Sequence, residues 1–322
     1  FHASDARQKH TSVISDQGER FNIVTGLMEL SKSHFNPNDV AFKESQFLTY
    51  DILDASDYST GLLGRASDSN PDGLNQRRDE SFDTGNGSSA NLGLDRIVSV
   101  ASPVLDVVYP PTLVLVIISL AMVVTAETVD SDNNSVSISQ ERLKVFAETQ
   151  GKKLNSYMRD NFPEISRNLP ILITVYCLSD DATLPGNFIQ QAYFTSNSAN
   201  FTDIDEEWLL LPSDDFEELD ADVSSQFSTL KSGLSGVSPD DVFIVGKGRF
   251  VSDALAELDI TVNLHAKTGA EAIALAQYIY GQTSLFTSTN YEISIDISSD
   301  NDHVAVIKRS AGSGDAQITM LI

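Results

Sequence analysis

A chain of 322 residues with 21 Lys plus Arg against 46 Asp plus Glu, a net charge of −25, presents a surface that repels nucleic acid and anionic lipid, because phosphate binding needs clustered cations. Hydrophobic residues make up 41%, enough to build the core of one large domain or two ordinary ones, and this excludes global disorder. The single cysteine, Cys177, excludes an internal disulfide framework; it lies in an apolar run with no His nearby in sequence and reads as a small buried hydrophobe.

The chain starts at Phe1 rather than Met, which reads as a trimmed or late-starting N-terminus. Residues 1–20 are polar, lack the apolar stretch of a signal peptide and read as an arm. Apolar residues then come in short bursts over 21–30 and 40–53. Val40, Phe42, Phe47, Leu48, Tyr50 and Ile52 partly alternate, so a strand is expected in the second, after an Asn36-Pro37-Asn38-Asp39 turn. Residues 56–92 are rich in Ser, Asp, Asn and Gly with almost no apolar periodicity, which predicts an exposed excursion.

Residues 96–108 and 113–124 are apolar and β-branched, split by Pro110-Pro111. The second run is shorter than the ~20 residues a spanning helix needs and has no flanking Lys or Arg, so it reads as a strand buried on both faces. Over 137–162, Leu143, Phe146, Ala147, Leu154, Tyr157, Met158 and Phe162 form one stripe at helical spacing. Ser137 and Gln140 have capping-box spacing, and Pro163 ends the helix. Residues 170–178 read as another buried strand, 180–200 as a loop, and 203–222 as an acidic surface around Trp208. Val242–Val251, with Gly246-Lys247-Gly248 at its middle, reads as a hairpin.

The most regular stretch follows. Leu258, Ile260, Val262, Leu264 and Ala266 alternate with polar residues, Thr268 and Glu271 form a capping box, and 270–280 is apolar on nearly every side. Tyr291, Ile293, Ile295 and Ile297 alternate again, Asp300-Asn301-Asp302 turns the chain, and 304–307 returns. This is a β-α-β-β module over 258–307. A last strand is expected over 316–322, and no internal repeat is visible in the sequence.

Two acidic loops have calcium-ligand spacing, in which oxygen donors at alternate residues wrap one hard cation. In the first, Asp68, Asn70 and Asp72 stand at positions one, three and five, Gly73 follows, and Asp79 falls at position twelve. In the second, Asp130, Asp132 and Asn134 lead to Glu141 at position twelve, with Ser135 where the loop calls for Gly. Each resembles an EF-hand loop over about a dozen residues, and the competing reading is a solvated Asx-rich turn. Gly246-Lys247-Gly248 lacks the third glycine of a dinucleotide loop. His2, His10, His34, His265 and His303 have no metal-ligand spacing; His265 and His303 read as surface residues, and no nucleophile motif is present. Asp205, Glu206 and Glu207 beside Trp208 read as a solvated acidic face rather than a carbohydrate-cleaving site.

The expected fold is α+β and β-rich: multi-stranded sheets arranged as a sandwich or barrel, with two main helices at 137–162 and 268–280. The alternative is a pair of β-barrels of the double jelly-roll kind. The expected organisation is an N-terminal arm at 1–20, a first half at 21–165 carrying the exposed loop 56–92, and a second half at 166–322. The leading functional expectation is a non-enzymatic, self-assembling viral capsid subunit located in the virion. Its partners are copies of itself and other shell proteins, with neither direct nucleic acid binding nor membrane contact, and no cofactor unless the acidic loops take calcium. The alternatives are a secreted or surface calcium-dependent binding module, and an α/β enzyme with an unrecognised site.

Overall fold

The two apolar runs flanking Pro110-Pro111 become paired strands at the centre of a sheet. The computed structural model describes residues 6–54, 57, 59–86, 91–165, 168–238, 242–265, 267–300 and 302–321. Packing divides the chain between Ile204 and Asp205 into two units. The first contains α1 (Ala6–Val13), α2 (Gln17–Lys32), β1 (Ala41–Glu44), the single-turn α3 (Tyr50–Leu53), β2 (Ser81–Phe82) and β3 (Asn91–Leu92). The long strands β4 (Val98–Tyr109) and β5 (Val114–Thr125) follow, then the hairpin β6 (Glu127–Val129) and β7 (Ser135–Ser137), and α4 (Gln140–Asn161). Strands β8 (Ile171–Leu178), β9 (Asn187–Phe194) and β10 (Thr202–Asp203) complete it. Six strands form one sheet in the order β1-β4-β5-β8-β9-β10. Neighbours are antiparallel except β5 and β8, which run parallel and are joined by the crossover that contains α4.

Helices cover both faces of this sheet. On one, Ser31 of α2 lies 2.7 Å from Ser119 Oγ of β5, and Glu19 accepts from the Tyr176 hydroxyl at 3.1 Å and from Gly186 N at 2.9 Å. Gly26 lets α2 approach Phe188 so closely that a Cβ would fall 2.3 Å from that ring. On the other, Lys144 of α4 donates to Asp203 at 2.9 Å and Arg159 donates to the carbonyls of Leu169 and Phe194. Burial of Ile117 to Val124 at every position follows from this double cover.

Residues 6–20 of the expected arm are docked: Lys9 is buried, 3.4 Å from Asp54 and 5.2 Å from the Tyr50 ring centroid, and Ile14 is buried. Residues 1–5 lie outside the described residues, as do 55, 56, 58 and 87–90 of the expected excursion. The described part of that excursion is not simply exposed. Leu62, Leu63 and Leu74 are buried, and so is Asn75. The Asn75 side chain donates to the carbonyls of Leu63 and Val98 and accepts from the amides of Ile97 and Val98, at 2.8–3.0 Å. All of its amide capacity is spent on backbone, so a single polar residue replaces the ladder that this irregular segment lacks. Lys153 of α4 adds a bond to the Gly73 carbonyl.

The second unit runs β11 (Glu206–Leu211), α5 (Asp214–Leu219), α6 (Ala221–Val237), β12 (Val242–Val251), β13 (Ala254–Leu264), α7 (Gly269–Gln282), β14 (Glu292–Ser299), β15 (Asp302–Arg309) and β16 (Gln317–Met320). Its sheet follows chain order, antiparallel throughout except for the parallel pair β13 and β14, which α7 bridges. Strand for strand, this is the pairing pattern of the first sheet, although no repeat is visible in the sequence. Phe216, Phe227, Leu230, Leu275 and Ile279 pack from the helices onto Leu258, Ile260, Val262, Ile293, Ile295 and Ile297. The strand alternation places Trp208, Lys247, Arg249, Asp259 and Asp296 on the opposite face. There Lys247 lies 5.4 Å from the Trp208 ring centroid, and Arg249 bridges Glu206 and Glu257 at 3.5 and 3.1 Å. Desolvation, then the Glu257 charge, pushes the Asp259 carboxyl up to about 6.

The α+β, β-rich class holds, but neither six-stranded sheet closes on itself, so the paired-barrel alternative is corrected: each sheet ends in edge strands and is covered by helices. Helices α2 and α6 were not expected, and 40–53 holds only the short β1 and α3. The cap of α4 is Ser139, which accepts from Arg142 N, while Ser137 belongs to β7. The 258–307 module forms, with its capping box, although Ala266 and Asn301 lie outside the described residues. One face of α7 is open, with Ile273 exposed. Residues 242–251 are one strand, not a hairpin. Its glycines make room: a Cβ on Gly248 would lie 2.5 Å from the Phe216 ring.

Asn75→Ala would leave buried backbone groups unpaired at roughly 1–3 kcal/mol each, and is expected to cost the first unit roughly 3–5 kcal/mol. Hydrogen exchange at the Ile97 and Val98 amides reads the loss directly; wild-type protection there would refute the clamp. Asp259 holds its proton more tightly when folded than its ordinary value of 3.8 allows, so its contribution to stability is full below that pH and is lost as pH rises through about 6. Asp259→Asn is expected to stabilise the chain at neutral pH by roughly 1–3 kcal/mol and by little near pH 4, measured by urea unfolding.

Candidate functional site

On the α2 side of the first sheet the helix packs through Gly26 onto Phe188 of β9. It ends at Lys32, with Ser33 as its cap, and His34 N–H then bonds back to Ser31 O at 3.1 Å. This return lays the His34 ring on Tyr193 of β9, with centroids 4.0 Å apart and planes 7° from parallel. Beside the stacked pair lies a groove of about 360 Å³. Leu172 of β8, Gln191 of β9, Thr202 of β10, and Ser198, Ala199 and Asn200 from the connection between β9 and β10 line it with the two rings. That volume sits at the lower end of small-molecule sites, about 300–1,000 Å³.

No lining side chain is an Asp, Glu, Lys or Arg. Burial lowers the pKa of His34 from 6.5, so the imidazole is neutral at pH 7 and offers one donor and one acceptor. Burial raises the Tyr193 phenol, which keeps its proton. Thr202 Oγ1 donates to the Gln191 carbonyl at 3.3 Å, while Gln191 Oε1 is buried without a hydrogen-bond partner. The groove therefore combines an aromatic wall with hydroxyls and amides that bond in both directions. Such a site suits binding an uncharged polar molecule by contact.

Several of the expected calcium ligands bond to other groups of the chain. Asp68 and Asp79 both lie beside Arg77, at 3.1 and 3.5 Å, so a cation of the chain itself faces that loop. Asn70 donates to the carbonyls of Gly61 and Arg65. Asp72 stands near Lys153, whose pKa it raises against the larger effect of burial. In the second loop, Asp130 accepts from the amides of Asp132 and Asn134 and from the Asn134 side chain, closing the β6–β7 hairpin. These bonds lower its pKa, and Glu141 lies in the first turn of α4. Among the described residues, no group of three or more His, Cys, Asp and Glu is placed to hold a metal ion.

Burial pushes the Cys177 thiol up to about 11, in keeping with a packed side chain. His265 and His303 are exposed beside Asp300 and Asp296, at 2.7 and 3.0 Å. His2 lies outside the described residues. The sequence pointed to no role for His34, and Tyr193 fell within the expected loop at 180–200, where the structure has β9. The groove draws on residues from 34 to 202, and no local spacing in the sequence links them.

The family described as CamS sex pheromone cAM373 precursor matches residues 1–315. A sex pheromone precursor of Lactobacillus salivarius subsp. salivarius UCC118 superposes with a TM-score of 0.83 at 20% identity, covering 100% of this chain and 93% of that one. The C-terminal domain of the sex pheromone staph-cAM373 precursor of Staphylococcus aureus superposes with a TM-score of 0.71 at 20% identity, covering 96% of this chain and 98% of that one. At that identity the likeness is one of fold. No curated protein matches the chain. These matches overturn the viral capsid expectation, together with its shell partners and virion location. Acidity and a lack of familiar catalytic motifs describe many acidic proteins and were never specific to a coat. The chain belongs to the CamS sex pheromone cAM373 precursor family.

Proposed function

We propose that this chain is the folded extracellular body of a pheromone precursor and that it acts by binding, with the groove beside His34 and Tyr193 as its ligand site. Membership of a family named for a pheromone precursor supports the extracellular placement, since a pheromone acts between cells. The observation that carries the binding reading is the groove's lining. In a chain of net charge −25, every side chain facing this groove is uncharged at neutral pH. Among the described residues, no helix is long and apolar enough to cross a membrane. The body is thus a folded object that meets its ligand at this groove.

Two measurements test the reading. In a ligand-observed NMR screen, uncharged polar fragments are expected to bind the native chain, and Ser198→Trp, which fills the groove from its exposed rim, is expected to abolish their binding. Hits that survive Ser198→Trp, or hits confined to charged fragments, would overturn the assignment. The second concerns pH. Because the folded chain resists protonating His34, the stability tied to its neutral form is full above about pH 6.5 and declines as pH falls below it. His34→Phe keeps a ring on Tyr193 but cannot take a proton. Its urea midpoint is expected to fall less than that of the wild type between about pH 7.5 and about pH 5.5.

A further inference from the structure

We infer that the ligand class of the groove is an uncharged carbohydrate, a mono- or disaccharide unit either free or at the end of a surface glycan; the inference rests on the groove being a binding site. A pyranose ring has two kinds of surface. Its C–H faces are weakly apolar and electropositive, and they pack on the electron-rich face of an aromatic ring. Its rim is a ring of hydroxyls, each both donor and acceptor, which pair best with amides and hydroxyls that also work in both directions. The groove supplies both. The His34 and Tyr193 rings, with Leu172 and Ala199, form the apolar part, the two ring faces stacked on each other being closed to a ligand. Gln191, Ser198, Asn200 and Thr202 form the polar part.

The same lining argues against other small ligands. A phosphate or carboxylate would find no cation in the groove and would approach through a strongly acidic surface. A cation would find no carboxylate. An extended peptide would need a strand edge to pair with. The sheet's outer strand here, β10, is two residues long and pairs with Gln190 and Gln191, so the edge it offers is short. A sugar needs no edge, and its affinity would come from the ring wall and the amides.

The test titrates the full chain by isothermal calorimetry with chitotriose and cellotriose as neutral probes, trigalacturonic acid as an acidic one, and an end-blocked trialanine as an uncharged peptide. At least one neutral trisaccharide is expected to bind. Tyr193→Ala should weaken it by about tenfold or more through loss of the ring wall, while Tyr193→Phe should stay within about threefold. Gln191→Ala should weaken it with the chain still folded by circular dichroism, and Asp259→Asn in the second unit should leave it unchanged. Retention on insoluble chitin or cellulose, competed by the free trisaccharide, would identify a surface glycan as the source; binding of the free sugar without retention would identify the soluble one. Binding of trialanine with neither sugar, or of trigalacturonic acid as tightly as a neutral sugar, would overturn the carbohydrate class and leave the binding reading standing. If no probe binds and no fragment responds to Ser198→Trp, both fail.

Discussion

Each sheet turns on a single parallel pair. Antiparallel neighbours can be joined by a short turn, but β5 to β8 and β13 to β14 cannot, because the chain must travel back along the sheet before it pairs again. The helix that makes the journey, α4 in one unit and α7 in the other, has to lie on a face. Its landing decides which face of the sheet is dry and therefore which alternate residues of every strand must be apolar. The strands outside the parallel pair then join by antiparallel neighbours, in the same pattern in both units. The pairing pattern is repeated although the sequences that build it share no visible period, since the constraint acts on connectivity and burial, not on residue identity.

The units diverge on the other face. In the first, α2 lies there, so β5 is buried at every position from Ile117 to Val124 and its only hydroxyl in that span, Ser119, meets Ser31. In the second, the corresponding face carries Trp208, Lys247, Arg249 and Asp259, which hold one another by charge and ring contacts. Lys247 and Lys308 lower the Asp259 carboxyl, but desolvation and the acids Glu257 and Glu292 outweigh them. Breaking that balance should strengthen the unit, which makes the polar face a site of retained cost rather than of stability.

What could be read in the sequence follows from this difference. A strand with one dry face alternates, so β13 and β14 were legible from Leu258 and Ile293 onward, and the Thr268 to Glu271 box marked α7. A strand dry on both faces is a continuous run, so β5 was legible as Leu113 to Val124. Helix α2 was not, because its buried residues are only Ile23, Leu27 and Ser31, with Gly26 giving way to Phe188. Residues 56–92 looked unstructured for a similar reason. Their order depends less on periodicity than on one amide, Asn75, and three buried leucines. The groove was the least legible feature of all, since each of its residues is unremarkable in its own neighbourhood.

The groove lies beyond the end of α2. That end at Lys32 leaves part of β8 and β9 without helical cover, and the turn through Ser33 and His34 closes only one side. An uncovered strip of sheet can meet water in two ways: with charges, as the second unit does, or with rings, hydroxyls and amides, as here. The choice has a physical consequence. Charged sites act over a Debye length and weaken with salt, whereas an uncharged site acts only by contact. On a chain whose long-range field is strongly negative, a neutral ligand is neither repelled on approach nor exchanged for counterions. Its occupancy is then set by shape and hydrogen bonds alone, and so by the rings of His34 and Tyr193 and the amides beside them.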